Sequence, residues 1–199
     1  MKKKVLLFLM LFALYLSLVQ ICVYADDYHF RNTKWQMSVE EVMAAEGTYP
    51  IYDTNEPPLH AIGYKDNVMG KNVYITYSLL NNKLWKTMYI LNEKYTNSNL
   101  YISDYKAFQR ILIEEYGKPT SEDIIWKNDL YKDKPQQYGF AVSLGHVSYR
   151  TVWKNTNESN IFLTLKGDNY KINCTIAYYS IEMEEEVKKW KASEQKSKF

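Results

Sequence analysis

Apolar residues recur at helical spacing between Leu100 and Pro119. Tyr105, Phe108, Ile111, Leu112 and Tyr116 fall on one side of a helical wheel, an arc of roughly 140° at about 100° per residue. That side needs a sheet to cover. Gly117 supplies a left-handed residue past the helix end and Pro119 cannot continue the helix, so the stop is well marked. A shorter helix is predicted from Val39 to Glu46, because Ser38 and Glu41 have the spacing of a capping box and Met37 and Val42 that of a hydrophobic staple. Gly47 ends it, and Pro50, Pro57 and Pro58 mark a connection.

Elsewhere the period is two. From Leu59 to Asn92 the chain turns β-branched and aromatic, with turns expected at Asp66-Asn67 and Asn81-Asn82 and three or four antiparallel strands between them. Val73, Ile75, Tyr77 and Leu79 alternate with polar neighbours, as in a strand with one buried face. Along Lys83 to Asn92, Trp85, Tyr89 and Leu91 oppose Leu84, Met88 and Ile90, which suits a central strand covered on both faces. The short segment from Gly139 to Gly145 is compatible with a helix and open to other readings. Val147, Tyr149, Thr151 and Trp153 share a face, as do Ile161, Leu163 and Leu165. In the last strand Tyr170, Ile172, Cys174, Ile176 and Tyr178 point inward, and Lys171, Asn173, Thr175 and Tyr179 outward.

The order of helix, strands, helix, strands describes an α+β protein: two helix-plus-antiparallel-sheet units in tandem, two layers thick, with a charged C-terminal helix. The expected divisions are a signal peptide at 1–25, a first unit at 26–97, a second at 98–181 and a charged helical tail at 182–199. The repeat is one of pattern rather than letters, so a single mixed sheet with two helices on one side fits the same text. In the tail, acids precede bases, which suits a solvated helix that frays, with Met183, Val187 and Trp190 as the side available for docking.

Charge changes the picture only at the N-terminus. The chain opens Met-Lys-Lys-Lys, continues apolar from Val5 to Val23 and reaches Val23-Tyr24-Ala25 before Asp26, the layout of a signal peptide cleaved after Ala25. An uncleaved membrane anchor is the alternative, since the apolar run is just long enough to span ~30 Å. A secreted or extracytoplasmic location is expected. Loss of residues 1–25 removes three lysines and turns the net charge from +2 to −1, which gives no warrant for nucleic acid or an acidic membrane surface as partner. Cys174 is then the one remaining cysteine, so the fold must stand on its core without an intramolecular disulfide.

No catalytic constellation is visible. His29, His60 and His146 lack the spacing of metal ligands, and neither a metal nor a cofactor is expected. Ser143 fails the nucleophile-elbow pattern by one residue. Cys174 faces inward in an alternating strand and reads as an inert core thiol. The compositional excess is aromatic, 16% of residues with tyrosine foremost. Such rings suit protein or sugar surfaces. If one side of the sheet is bare, Arg150, Thr164, Asn173, Thr175 and Tyr179 form a polar, partly aromatic platform for a partner.

Phe30-Arg31, Trp35-Gln36-Met37-Ser38 and Glu41-Val42, together with Tyr116-Gly117-Lys118-Pro119, resemble an uncharacterised family of exported bacterial proteins. That family shows F-R-x-x-x-W-G-M-S-x-x-E-V near the mature start and a helix ending Y-G-x-P; Gln36 stands here in place of its glycine. More distantly, the helix-then-sheet unit is similar to small outer-membrane assembly lipoproteins and to tandem β-lactamase-inhibitor proteins, which implies protein binding rather than catalysis. The leading expectation is an exported, non-catalytic module that binds a protein or cell-envelope component through an open sheet face. The alternatives are an envelope-directed hydrolase and a carrier of a small apolar ligand.

Overall fold

The structure, a computed structural model, describes residues 28–196, so the signal peptide expected at 1–25 lies outside the described residues. Helix α1 spans Val39–Glu46, followed by strands β1 (Tyr52–Glu56), β2 (Leu59–Val68), β3 (Lys71–Leu80) and β4 (Lys83–Leu91). Helix α2 (Asn99–Tyr116), β5 (Ser121–Trp126), a short helix α3 (Tyr138–Ser143), β6 (Val147–Thr156), β7 (Ser159–Asp168), β8 (Lys171–Ser180) and helix α4 (Glu184–Lys196) complete the chain. The strands form one antiparallel sheet in the order β1-β2-β3-β4-β8-β7-β6-β5. The protein is thus α+β and dominated by its sheet. Its centre is the pairing of β4 with β8, where Lys86 to Ile90 face Tyr179 to Thr175.

Hairpin geometry fixes the register. Asn81-Asn82, Asn157-Glu158 and Asn169-Tyr170 each place two residues at positive φ, as a two-residue turn matched to strand twist requires. The turn expected at Asp66-Asn67 is instead Met69-Gly70, also at positive φ, and Asp66 and Asn67 continue β2. Asp66 is held there by the Arg31 guanidinium at 2.6 Å. Two strands were not legible: β1, an exposed polar edge, and β5, the opposite edge. Neither has a buried face to impose alternation.

One face of the sheet carries the main core. The inward sets of β3, β6 and β7 are buried as their alternation requires, and Cys174 is 2% exposed. Burial, with a smaller push from Asp104, raises its thiol well above the ordinary range. Helix α2 buries Ile102, Tyr105, Phe108 and Leu112, and the Tyr105 hydroxyl lies 2.6 Å from the buried Thr151 hydroxyl of β6. Ile111, expected inside, is 39% exposed, because it lies roughly 120° of helix rotation from the middle of that stripe. The open segment Gly139–Gly145 proves to be mostly α3, wedged against β7. A Cβ on Gly167 would come within 2.2 Å of the Val142 carbonyl oxygen, and one on Gly139 within 2.3 Å of Ser98 backbone.

Residues 28–38 strap this face across its centre. The Phe30 ring lies 5.7, 4.8 and 5.1 Å from the rings of Tyr77 (β3), Tyr89 (β4) and Tyr178 (β8). Arg31 bridges Glu46 at the end of α1 (3.0 Å) and Asp66 of β2 (2.6 Å), and Tyr77 donates its hydroxyl to Glu46. The Trp35 indole N–H donates to Ser159 at 3.2 Å. The Gln36 N–H donates to the Leu84 carbonyl, and the Leu84 N–H to that of Met37, both at 2.9 Å. Ser38 and Glu41 close the capping box at the start of α1. The residues that resemble the exported-family motif therefore act as scaffold.

Gln36 sits at φ +66°, a left-handed conformation that costs a side-chain-bearing residue about 1–2 kcal/mol. Gln36→Gly is expected to raise stability to unfolding by about 1 kcal/mol in denaturant titration, and a loss of stability would contradict the strained assignment. Cys174 is expected to resist a thiol reagent in the folded protein and to label, by mass mapping, only once denaturant unfolds the chain; rapid labelling under native conditions would refute its inward placement.

Candidate functional site

The opposite face of the sheet is only partly covered. Helix α4 lies against it: Met183 and Val187 are buried in a cluster with Leu80 and Trp85, and Leu59, Tyr179 and Trp190 pack around them. The tail expected to stay solvated therefore docks, and the two-layer expectation gains a partial third layer. The physical reason is a bulge. Leu79 faces Leu84 while Ser78 faces Lys86, so Trp85 is an extra residue in β4. Leu84 joins the main core, Trp85 turns to the other face, and Lys86, Met88 and Ile90 follow it there. Strict alternation puts Trp85 with Tyr89 and Leu91. The displaced indole gives α4 its landing point, and burial of Val187 and Met183 there stabilises each by about 1.5–3 kcal/mol.

Beside α4 lies a groove of about 620 Å³ whose floor is the centre of the sheet. Three rings cross it from strand to strand: Trp85 (β4) lies 6.0 Å from Tyr179 (β8), which lies 5.5 Å from Phe162 (β7). Each ring carries a cation over its face. Lys191 stands 5.4 Å from the Trp85 centroid, Lys86 5.3 Å from that of Tyr179 and Arg150 5.4 Å from that of Phe162. A ring face attracts a cation without neutralising it. Burial, and then the neighbouring Lys191 ammonium, hold the Lys86 amine below its usual range. Burial raises the Tyr179 phenol. Met88 and Ala177 face each other across the central pairing, and Phe162 faces Ala177 on the far side, giving one apolar row over three strands. A row of hydroxyls, Thr175 opposite Thr164, runs alongside it.

Thr164, Thr175 and Tyr179 of the expected platform line this groove, and Arg150 is tied to it through Phe162. Asn173 shares the face opposite Lys166, but stands outside the groove lining. Trp85, Lys86, Met88, Phe162 and Lys191 were missed as groove residues, whereas Met183, Val187 and Trp190 are the side by which the tail docks, as their spacing allows. Phe162 was legible, being the outward neighbour of Ile161 and Leu163; Trp85 was hidden by the bulge.

No family model, no curated protein and no solved structure matches the chain.

The histidines stand apart. His29 pairs with Glu158 at 2.9 Å and accepts the Trp35 N–H at its other nitrogen, so its Nε2 carries the proton shared with Glu158. His60 pairs with Asp53 at 2.6 Å near the β1 edge, and the His146 ring lies 5.7 Å from that of Tyr131. Among the described residues no three His, Cys, Asp or Glu side chains converge on a metal position, and no described helix is long and apolar enough to cross a membrane.

Val187→Asp places a carboxylate in the apolar cluster under α4. It is expected to release the helix, shift Trp85 emission to the red and open the tail to protease while the sheet stays folded. A tail that remains protected would show that these contacts do not hold it.

Proposed function

We propose that this chain is an exported, non-catalytic binding module that recognises a protein or cell-envelope component through the open face of its sheet. The observation that carries this reading is the ladder of Trp85, Tyr179 and Phe162 with Lys191, Lys86 and Arg150 over the rings. Aromatic rings give large, rigid contact area at low entropic cost, and Trp, Tyr and Arg are the residues that most often dominate binding energy. The floor belongs to interior strands whose backbone groups are already paired, so recognition falls to side chains rather than to strand addition at an edge.

Two further parts of this reading have support of their own. The strand order is symmetric about the β4–β8 pairing and a helix precedes each set of four strands, which supports two α+β units in tandem, 26–97 and 98–181. The lysine-led apolar N-terminus with Val23-Tyr24-Ala25, and the resemblance of Phe30-Arg31 and Trp35 to Val42 to exported bacterial proteins, support a secreted or extracytoplasmic place. An uncleaved anchor is the other form that segment allows.

Capture of material from an envelope fraction by the immobilised protein tests the reading. Arg150→Ala with Tyr179→Ala is expected to weaken specific capture by about tenfold or more without loss of folding. Identical capture by wild type and double variant would remove the open face as the binding surface.

A further inference from the structure

The groove has an apolar floor and cations without acids to answer them. Lys188 is committed to Glu184 and Glu185 at 3.0 and 2.9 Å, which also accounts for the carboxylate of Glu184 in the groove wall. Lys86, Lys166 and Lys191 have no carboxylate within ion-pair distance among the described residues. Lys86 and Lys191 stand over adjacent rings at one end, so two positive charges meet there above an aromatic surface. Like charges held together in a partly desolvated place repel one another, and an anion between them relieves that repulsion.

Size separates the candidates for that anion. A volume of about 620 Å³ lies in the range filled by one small molecule. The apolar row Met88–Ala177–Phe162 runs across three strands, about 10 Å from first to last at ordinary strand spacing. It is walled by Val187 of α4 on one side and by the Thr164 and Thr175 hydroxyls on the other. A trough of that length suits one unbranched chain.

We propose that the groove binds a single-chain anionic lipid, with its acidic head between Lys86 and Lys191 and its acyl chain along Met88, Ala177 and Phe162. This assignment rests on the reading of the open face as the binding surface and names the class of envelope component it takes.

Titration calorimetry with dodecanoate, kept below its micelle concentration, tests it. Stoichiometric binding with quenching of tryptophan emission is expected, and dodecyltrimethylammonium, the same chain with the opposite charge, should bind at least roughly tenfold more weakly. Lys86→Ala with Lys191→Ala should weaken dodecanoate about tenfold or more at an unchanged melting temperature, and arginine at both positions should restore it. No binding by the wild type, equal binding of the two amphiphiles, or indifference to the double alanine variant would each overturn the assignment. So would a dimer in sedimentation that the alanine variant dissociates and dodecanoate does not, since the groove would then belong to a second copy. Failure here with Arg150- and Tyr179-dependent envelope capture intact would remove the lipid and leave the open-face reading standing; loss of both dependences would remove the face itself.

Discussion

The pairing of β4 with β8 is the constraint on which the rest of the structure depends. Five residue pairs, Lys86 to Ile90 against Tyr179 to Thr175, join the first four strands to the last four. One face of that short ladder holds Tyr89 and Tyr178 under the Phe30 ring, and the other holds Met88 and Ala177 at the floor of the groove. Core and candidate site are thus two sides of the same ten residues. The strap of residues 28–38 reinforces this centre from the core side, reaching β4 through Leu84 and β7 through Ser159. A ladder of five pairs gains from a third element that ties both of its flanks.

Placement of the candidate site follows from that asymmetry. Residues that stand out in the text near the N-terminus, Phe30, Arg31, Trp35 and Ser38 to Val42, are consumed by packing, ion pairing and helix capping. Lys86 and Lys191, with the rings of Trp85, Tyr179 and Phe162, lie on the face away from them. Helix α4 makes this a groove rather than a flat surface. Its apolar side is short, so it covers the Leu80 and Trp85 end and stops, and the charged side lends Lys191 to the rim. A longer apolar stripe on α4 would have buried the face.

Much of this was legible in the sequence wherever a single face is buried. Strands β6 and β7 bury the sets that alternation assigns inward, and α1 follows its capping signals to the residue; in β8 Cys174, Ile176 and Tyr178 do the same, but Tyr170, expected inward, sits in the hairpin turn before the strand and is 72% exposed. Legibility failed where a local irregularity overrode the period. The extra residue at Trp85 exchanged the faces of Leu84 and Trp85 relative to the rest of β4, and with that the landing site of α4 was invisible. Edge strands β1 and β5 have little burial to write into their residues. The turn at Met69-Gly70 lost to a stronger-looking Asp66-Asn67, because the partner that keeps Asp66 in the strand, Arg31, lies 35 positions away. Of the site, Arg150, Thr164, Thr175 and Tyr179 on regular strands were recovered, and the docking side of α4 with them; Met88, Phe162 and the residues at the bulge were not.

Hydrogen exchange tests the central claim most directly. If the β4–β8 ladder unites the protein, the amides of Lys86 to Ile90 and Thr175 to Tyr179 that bond across it should exchange only through global unfolding, as slowly as those of β3 and β7. The edge strands β1 and β5 should exchange faster. Rapid exchange at the ladder while β2–β3 and β6–β7 stay protected would mean that two sheets part readily, and the shared core and groove floor would not stand.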